Sequence, residues 1–215
     1  LPVGFASGVY LAEYAGARVK GVLNLVFDIL AGIPSILVGL FGFAGAVFLH
    51  KHYSARIAPC LLLSGLALAF LVMPYIIRTT QVALEGLPYE TRLTGLALGA
   101  TRLQNLFYVL LPKALPGMIS GVILAIGRCA EDTAVIMLTG VVVSAGVPKS
   151  LLGPYEALPF YIYYISSQYT NPEELARGYG AALVLLLLCL ALFALAFVFK
   201  RRLSYFTLYR TEGRP

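Results

Sequence analysis

The chain has 215 residues, of which 60% are hydrophobic and only 12% are charged, with a mean hydropathy of +0.85. Soluble domains carry about 25% charged residues, so lipid is the solvent that suits this composition. The net charge of +6 comes from 16 Lys and Arg residues scattered between apolar runs. That scatter is the pattern of membrane topology signals and excludes a basic nucleic-acid footprint.

The opening stretch LPVGFASGVYLAEYAGARVK has no basic n-region and does not read as a signal peptide. Residues 1–11 read as the second half of a span, which leads to the expectation of a fragment without its first helix. A spanning helix needs about 20 apolar residues, and residues 22–49, 57–84, 115–143 and 178–199 qualify. With the opening stub they make five passes. The span at 22–49 holds Gly32-Ile33-Pro34-Ser35, followed by Gly39, Gly42 and Gly45. Pro34 removes a backbone donor and kinks a helix, and small residues let membrane helices approach closely. This span is therefore expected among other helices, either lining a path or packing alone. Asp28 is placed near the cytoplasmic start of that span, where a helix N-terminus favours an acid.

Basic residues set the orientation. Lys200, Arg201 and Arg202 close the last span and belong in the cytoplasm, together with the C-terminus. Alternation puts residues 144–177 outside, 85–113 inside, 50–56 outside and 13–21 inside. Eleven of the 16 basic residues then fall inside, Arg210 and Arg214 among them, and four outside: Lys51, Arg56, Lys149 and Arg177. Arg128 lies within a span. The external segment 144–177 is rich in rings, and Tyr155, Phe160, Tyr161, Tyr163 and Tyr164 suit a membrane-interface belt or the docking of an external partner.

The costliest residues are in GRCAEDTAVIML, where Arg128, Glu131 and Asp132 interrupt an apolar run. An Arg or Asp at mid-bilayer costs about 2.5–3.5 kcal/mol. Arg128 and Asp132 are four apart, share a helical face and can pair. Either they form a structural ion pair or they belong to a polar path, where an Arg fork suits phosphate or carboxylate. Cys60, Cys129 and Cys189 are far apart in apolar runs and read as small hydrophobes. His50 and His52 flank Lys51 in a short external loop and do not make a metal site. The chain has no GxxxxGK[ST], GxSxG, HExxH or calcium-loop pattern. No nucleotide site, catalytic centre, cofactor or metal is therefore expected, and any energy must come from a partner.

Between two spans lies LTGLALGATRLQNLFYVLLPKALPG, residues 93–117. It is helix-friendly and cytoplasmic in this topology, with Gly99 as an interruption. Its exposed face is expected to carry Arg92, Arg102, Gln104 and Asn105. A helix outside the bilayer can dock in a partner's groove, or the stretch is an ordinary amphipathic loop. Pro112 marks the start of the next span, since proline is tolerated in a helix's first turn.

Gly99, then nine residues, then Val109-Leu110-Leu111-Pro112 resembles the cytoplasmic loop of binding-protein-dependent ABC importer permeases. LALGATR and LLPKALPGMISGVILAIGR are similar to the phosphate-permease branch. GVYLAEYA (8–15), AGIPSILVGLFG (31–42) and SLLGPYEALPFYIYY (150–164) agree with it in the same order along the chain. Two departures stand out. Leu93-Thr94-Gly95 occupies the place of the family's Glu-Ala-Ala, with Glu90 out of register. Arg128 is followed by Asp132-Thr133-Ala134-Val135 where the family has Glu-Thr-Ala-Pro.

The resemblance implies an all-α polytopic membrane helix bundle with the type I ABC importer permease (MetI-like) fold. Six spans are usual, so the first helix is expected to be missing from this chain. Residues 1–215 would be one transmembrane domain, with a cytoplasmic coupling loop at 86–112 and the external loop at 144–177. Its implied ATPase-coupling residues are Arg92, Gly99, Ala100, Arg102 and Pro112. Arg128, Glu131, Asp132 and Ser35 would lie on the translocation path. The implied partners are a second homologous permease subunit, a cytoplasmic ATP-binding subunit dimer, an external phosphate-binding protein and membrane lipid, with no nucleic acid. The implied activity is import of inorganic phosphate across the cytoplasmic (inner) membrane. Sulfate or molybdate as substrate, or an ATPase-independent carrier or channel, are the alternatives.

Overall fold

A computed structural model of the chain describes residues 1–52, 59–143, 145–148 and 150–212, with side chains described through Arg202. The expectations that fall on Arg56, Ile57, Ser144, Lys149 and Arg214, and on the Arg210 side chain, lie outside the described residues. The described chain is helical throughout its regular structure. In order come α1 (Pro2–Glu13), α2 (Ala17–Gly32), α3 (Ser35–His52), α4 (Leu61–Glu85) and α5 (Tyr89–Ala97). Then follow α6 (Arg102–Asn105), a π-helical segment (Leu106–Leu110), α7 (Leu111–Glu131), α8 (Ala134–Thr139), α9 (Leu158–Gln168) and α10 (Pro172–Glu212). Among the described residues four helical stretches are long and apolar enough to cross a membrane: Ser35–His52, Leu61–Glu85, Arg102–Glu131 and Pro172–Arg202.

Several boundaries differ from the sequence reading. The span expected at 22–49 is two helices. Pro34 cannot donate to the carbonyl four residues back, and its ring would meet it. The chain instead closes α2 with Ile33 N–H on the Leu30 carbonyl at 3.3 Å and opens α3 with Leu37 N–H on that of Pro34 at 3.0 Å. Asp28 therefore sits near the C-terminal end of α2, not at the start of a span. The third span begins at Arg102 instead of 115 and stops at Glu131 instead of 143. His50 and His52 end α3 and are not in a loop; the His52 ring stacks on Phe48 at 4.3 Å between centroids.

The chain divides into two compact units. The first comprises Leu1–Asp28, Met73–Ile126 and the chain from Leu192. In it the C-terminal half of α4 is flanked by two glycine pairs, each four residues apart. Gly4 and Gly8 of α1 face Ile76, Ile77 and Thr80, and Gly117 and Gly121 of α7 face Ala83 and Thr79. A Cβ on Gly8 would stand 2.6 Å from the Thr80 Cβ and 2.7 Å from the Ile77 carbonyl oxygen. Such steps let membrane helices approach closely, with α4 side chains seated on the glycines and, at Gly8, a backbone carbonyl as well. Thr79 and Thr80 return their hydroxyls to the Tyr75 and Ile76 carbonyls at 2.8 and 2.7 Å, leaving no free donor on an apolar face. Leu84, Leu106, Leu110, Ala114 and Met118 form the core, with Phe5 and Val9 packed against it.

The second unit comprises Ile29–Val72 and Gly127–Ala191. Here α3 packs on the short α8. A Cβ on Gly39 would lie 3.0 Å from the Ala134 carbonyl and the Val135 Cα, and one on Gly42 would lie 2.9 Å from Thr139. Gly45 has nothing within 4 Å, so only two of the three expected glycines work as packing residues. Val38, Ala67, Leu71 and Val135 form the core between them. Of the five rings expected in a belt, Tyr155 is instead buried with Ile136 and Val141, and its carbonyl accepts from Val142 N–H at 2.9 Å. Burial pushes its phenol pKa above the usual range, opposed by a hydrogen bond with Ser64. Tyr163 and Tyr164 are exposed.

Candidate functional site

The stretch from Tyr89 to Asn105 is a helix, a turn and a second helix start, not a single surface helix. Gly99 has φ +82, a left-handed value that costs other L-residues energy. Ala100 N–H donates to the Gly95 carbonyl and Gly99 N–H to that of Leu96, both at 3.0 Å. These two bonds make the Schellman closure, which satisfies the orphan carbonyls at a helix end. Thr101 then caps the next helix. Its hydroxyl accepts from Gln104 N–H at 3.3 Å, and the Gln104 side chain accepts from Thr101 N–H at 2.8 Å. This reciprocal capping box satisfies two orphan donors. One helix stop and one helix start therefore share four residues. Leu98, at the tip, is 85% exposed.

The turn is anchored to the rest of its unit through Arg92 and Asn105. Arg92 donates Nη1 to the Glu13 carboxylate of α1 at 2.8 Å and Nη2 to the Leu84 carbonyl at the end of α4, which also accepts from Leu87 N–H at 3.2 Å. Asn105 is buried and donates Nδ2 to the Arg92 carbonyl at 2.8 Å. Its amide lies against Gly95, where any Cβ would collide with it. That explains why glycine stands third in the Leu93-Thr94-Gly95 triplet. Leu93 lines a pocket of about 230 Å³ with Glu13, Arg92 and Arg102, so the acid beside this helix comes from α1. Arg102 is exposed and has no ion pair among the described residues.

Pro112 lies inside the continuous stretch Arg102–Glu131 and does not begin it. A proline in an α-helix clashes with the carbonyl four residues back, here Tyr108. The π segment Leu106–Leu110 precedes it, and Leu111 N–H reaches back five residues to the Leu106 carbonyl. The wider turn relieves the backbone where Pro112 has no donor.

In the second unit α7 ends at Glu131, and Asp132 sits in the break before α8. Its buried carboxylate accepts from Val135 N–H at 2.9 Å, capping α8, and lies 3.5 Å from Arg128 Nη2. Arg128 and Glu131 are exposed. The expected pair therefore forms, but across a helix end and not within a continuous span. Ser35 opens α3 and makes no side-chain hydrogen bond among the described residues.

Three long-range ion pairs in the first unit escaped the sequence reading: Arg92–Glu13 at 2.8 Å, Arg78–Asp28 at 2.7 Å and Lys20–Glu85 at 2.6 Å. Their partners are 50 or more residues apart, so no local spacing announces them.

Comparison with known proteins supplies the context. The chain is 33% identical over 209 residues to the phosphate transport system permease protein PstA 1 of Mycobacterium tuberculosis (strain CDC 1551 / Oshkosh), covering 94% of this chain and 66% of that protein. It is 32% identical over 198 residues to the phosphate transport system permease protein PstA of Haemophilus influenzae, covering 91% and 68%. The chain thus spans about two thirds of the length of the relatives it matches, and just under that for the first. Among solved structures, one of the inward-facing conformations of the MetNI methionine ABC transporter superposes with a TM-score of 0.70 at 18% identity, covering 94% of this chain and 86% of that one. The all-α, MetI-like permease fold expected from the sequence is borne out by that likeness. The profile of the family described as "Binding-protein-dependent transport system inner membrane component" matches residues 4–205, and the chain belongs to that family.

Proposed function

We propose that this chain is the transmembrane permease subunit of an ABC importer that moves inorganic phosphate across the cytoplasmic membrane, with ATP hydrolysed by a separate subunit. The observation that carries the reading is the turn at Leu98–Thr101. The Gly95 and Leu96 carbonyls at its helix stop and the Thr101 and Gln104 N–H groups at its helix start are engaged locally, while Leu98 projects from it. A surface already fixed in shape loses little entropy on docking. It suits the groove of a cytoplasmic ATP-binding subunit dimer. Gly99 and Ala100 form the turn, Arg92 anchors it, Arg102 is the exposed cation beside it, and Pro112 marks the helix that carries displacement inward. The coupling loop runs over 86–112, residues 144–177 face outward, and the C-terminus is cytoplasmic.

A second homologous permease subunit completes the path, and an external phosphate-binding protein delivers substrate. ATP binding favours one of two packings of the bundle and hydrolysis the other, so transport is a shift between them. Arg128, Asp132, Glu131 and Ser35 are assigned to the path; the exposed guanidinium of Arg128 beside a buried counter-ion supports this. The phosphate substrate is supported by the names of the relatives above.

The test is uptake of radiolabelled phosphate, competed with sulfate, in vesicles carrying the full assembly. Saturable, ATP-dependent uptake resistant to sulfate is expected. Competition by sulfate at equal concentration would replace phosphate with a broader oxyanion class. Uptake that continues without any ATPase subunit would overturn the importer reading in favour of a secondary carrier.

A further inference from the structure

Two polar stripes face each other in the first unit. Lys20, Asn24 and Asp28 recur every four residues on α2, and Arg78, Gln81 and Glu85 recur at three and four on α4. They join in antiparallel order. Lys20 Nζ meets Glu85 at 2.6 Å at one end, and Asp28 meets Arg78 at the other. Between them Gln81, only 2% exposed, accepts from Arg78 Nη1 at 3.4 Å and donates to Glu85 at 2.8 Å. The amide oxygen of Asn24, on the same stripe, is buried with no hydrogen-bond partner among the described residues.

A clamp between helices needs no more than one such pair, and the Arg78 end has the geometry of a binding site. Its Nε and Nη2 donate to Asp28 Oδ1 at 3.0 and 2.7 Å, and Nη2 also donates to Oδ2 at 2.7 Å. This planar fork fits a tetrahedral oxyanion as well as a carboxylate. The pair is open on one side, with 33% of the Arg78 side chain and 55% of that of Asp28 exposed. A carboxylate that is more than half exposed loses little on returning to water.

We propose that Arg78 is an oxyanion contact on the transport path, with Asp28 as its resident, displaceable counter-ion. The proposal rests on the oxyanion-importer reading and adds a site to it. A passing phosphate takes the guanidinium fork as the Asp28 carboxylate swings out, so one ion pair is exchanged for another. A lone Arg in a low-dielectric path would hold a dianion too long, whereas conduction needs sites weak enough to leave. Gln81 holds Nη1 in line throughout, and the Lys20–Glu85 pair keeps the far end of the seam closed.

The experiment uses the purified full assembly in vesicles. Equilibrium binding of labelled inorganic phosphate is measured without the external binding protein, and ATP-driven uptake is measured with it in excess. Asp28→Asn is expected to bind phosphate about fivefold tighter, since it removes a competitor of exposed-pair strength, and to turn over more slowly. Arg78→Lys keeps the charge but not the fork and is expected to bind about fivefold weaker. A mere clamp between helices cannot tighten phosphate binding. Unchanged or weaker binding by Asp28→Asn, with phosphate uptake by the native protein intact, would therefore overturn the counter-ion role and leave the importer reading standing. If Asp28→Asn does not assemble, undiminished phosphate binding by assembled Arg78→Lys overturns it instead. Failure of the native assembly to take up phosphate, sulfate or molybdate removes both.

Discussion

Gly99 offers the sharpest perturbation, because its surroundings separate backbone from side-chain effects. A Cβ there meets nothing within 4 Å among the described residues, so the first added atom costs no packing energy. The backbone angle of +82° is the only internal obstacle. A left-handed angle costs an ordinary L-residue about 1–2 kcal/mol, with Asn the mildest exception and β-branched residues the worst. Gly99→Ala should therefore weaken the closed turn by about 1 kcal/mol, roughly fivefold in population, and Gly99→Val by about 2 kcal/mol, roughly thirtyfold. Gly99→Asn should cost a few tenths of that. The assay is phosphate uptake together with ATP hydrolysis in vesicles, with membrane insertion followed by immunoblot. Uptake should fall in the order Asn, Ala, Val at constant insertion. If Asn is worse than Ala, bulk against the partner governs this position and the backbone argument is wrong. Full uptake by Gly99→Val would refute a docking role for the turn.

Other expectations follow from the packing and the caps. Gly121→Val drives a branched side chain into Thr79 and should destabilise the fold by about 1–3 kcal/mol or more. At Gly45 an added Cβ meets nothing within 4 Å among the described residues, and Gly45→Ala should not destabilise the protein by more than about 0.5 kcal/mol. Thermal unfolding in detergent, read by a thiol dye reaching the buried Cys60 and Cys189, checks both. Asp132→Ala removes the α8 cap and should cost about 0.5–2 kcal/mol. Asp132→Asn keeps the accepting oxygen and loses only the charge. Native uptake by Asp132→Asn would show that the carboxylate is a cap and nothing more. Gly95→Ala should destabilise by collision with the Asn105 amide, and adding Asn105→Ala should restore part of the loss, a coupling expected only for groups in contact. Additive melting shifts in the double variant would contradict that contact.

Much of the turn at Leu98–Thr101 was legible in the sequence because its determinants are local. A glycine following a helical run and the Thr-x-x-Gln pattern at Thr101 and Gln104 are signals of a few residues. The break at Asp132 was equally local, since Asp132 precedes a short apolar run as a cap would. It was overridden because the apolar run continues through it. A span drawn from hydropathy alone runs through such local stop signals, and 22–49 reads as one span for the same reason, although the chain breaks between α2 and α3 at Pro34. The glycine pairs at Gly4/Gly8 and Gly117/Gly121 were visible as spacings, but which helix they meet is set only by tertiary structure. The same holds for Arg92–Glu13 and Arg78–Asp28, 79 and 50 residues apart. Tyr155 shows a further limit. Ring content marks an interface segment, yet burial of one ring depends on a bond from Val142 that composition does not encode.

The glycine pairs flanking α4 have a mechanical consequence. A contact between side chains can yield by a change of rotamer, but a contact of backbone on backbone has no such slack, and close-packed interiors compress little. At Gly8 the neighbours are the Ile77 carbonyl and a Thr80 whose hydroxyl is tied to its own helix. Arg92 bolts the turn to the ends of α1 and α4 through Glu13 and Leu84. The turn, α1 and α4 are thus tied at points that leave little room for local adjustment, so a load on Leu98 is expected to reach α4 as displacement more than as local deformation.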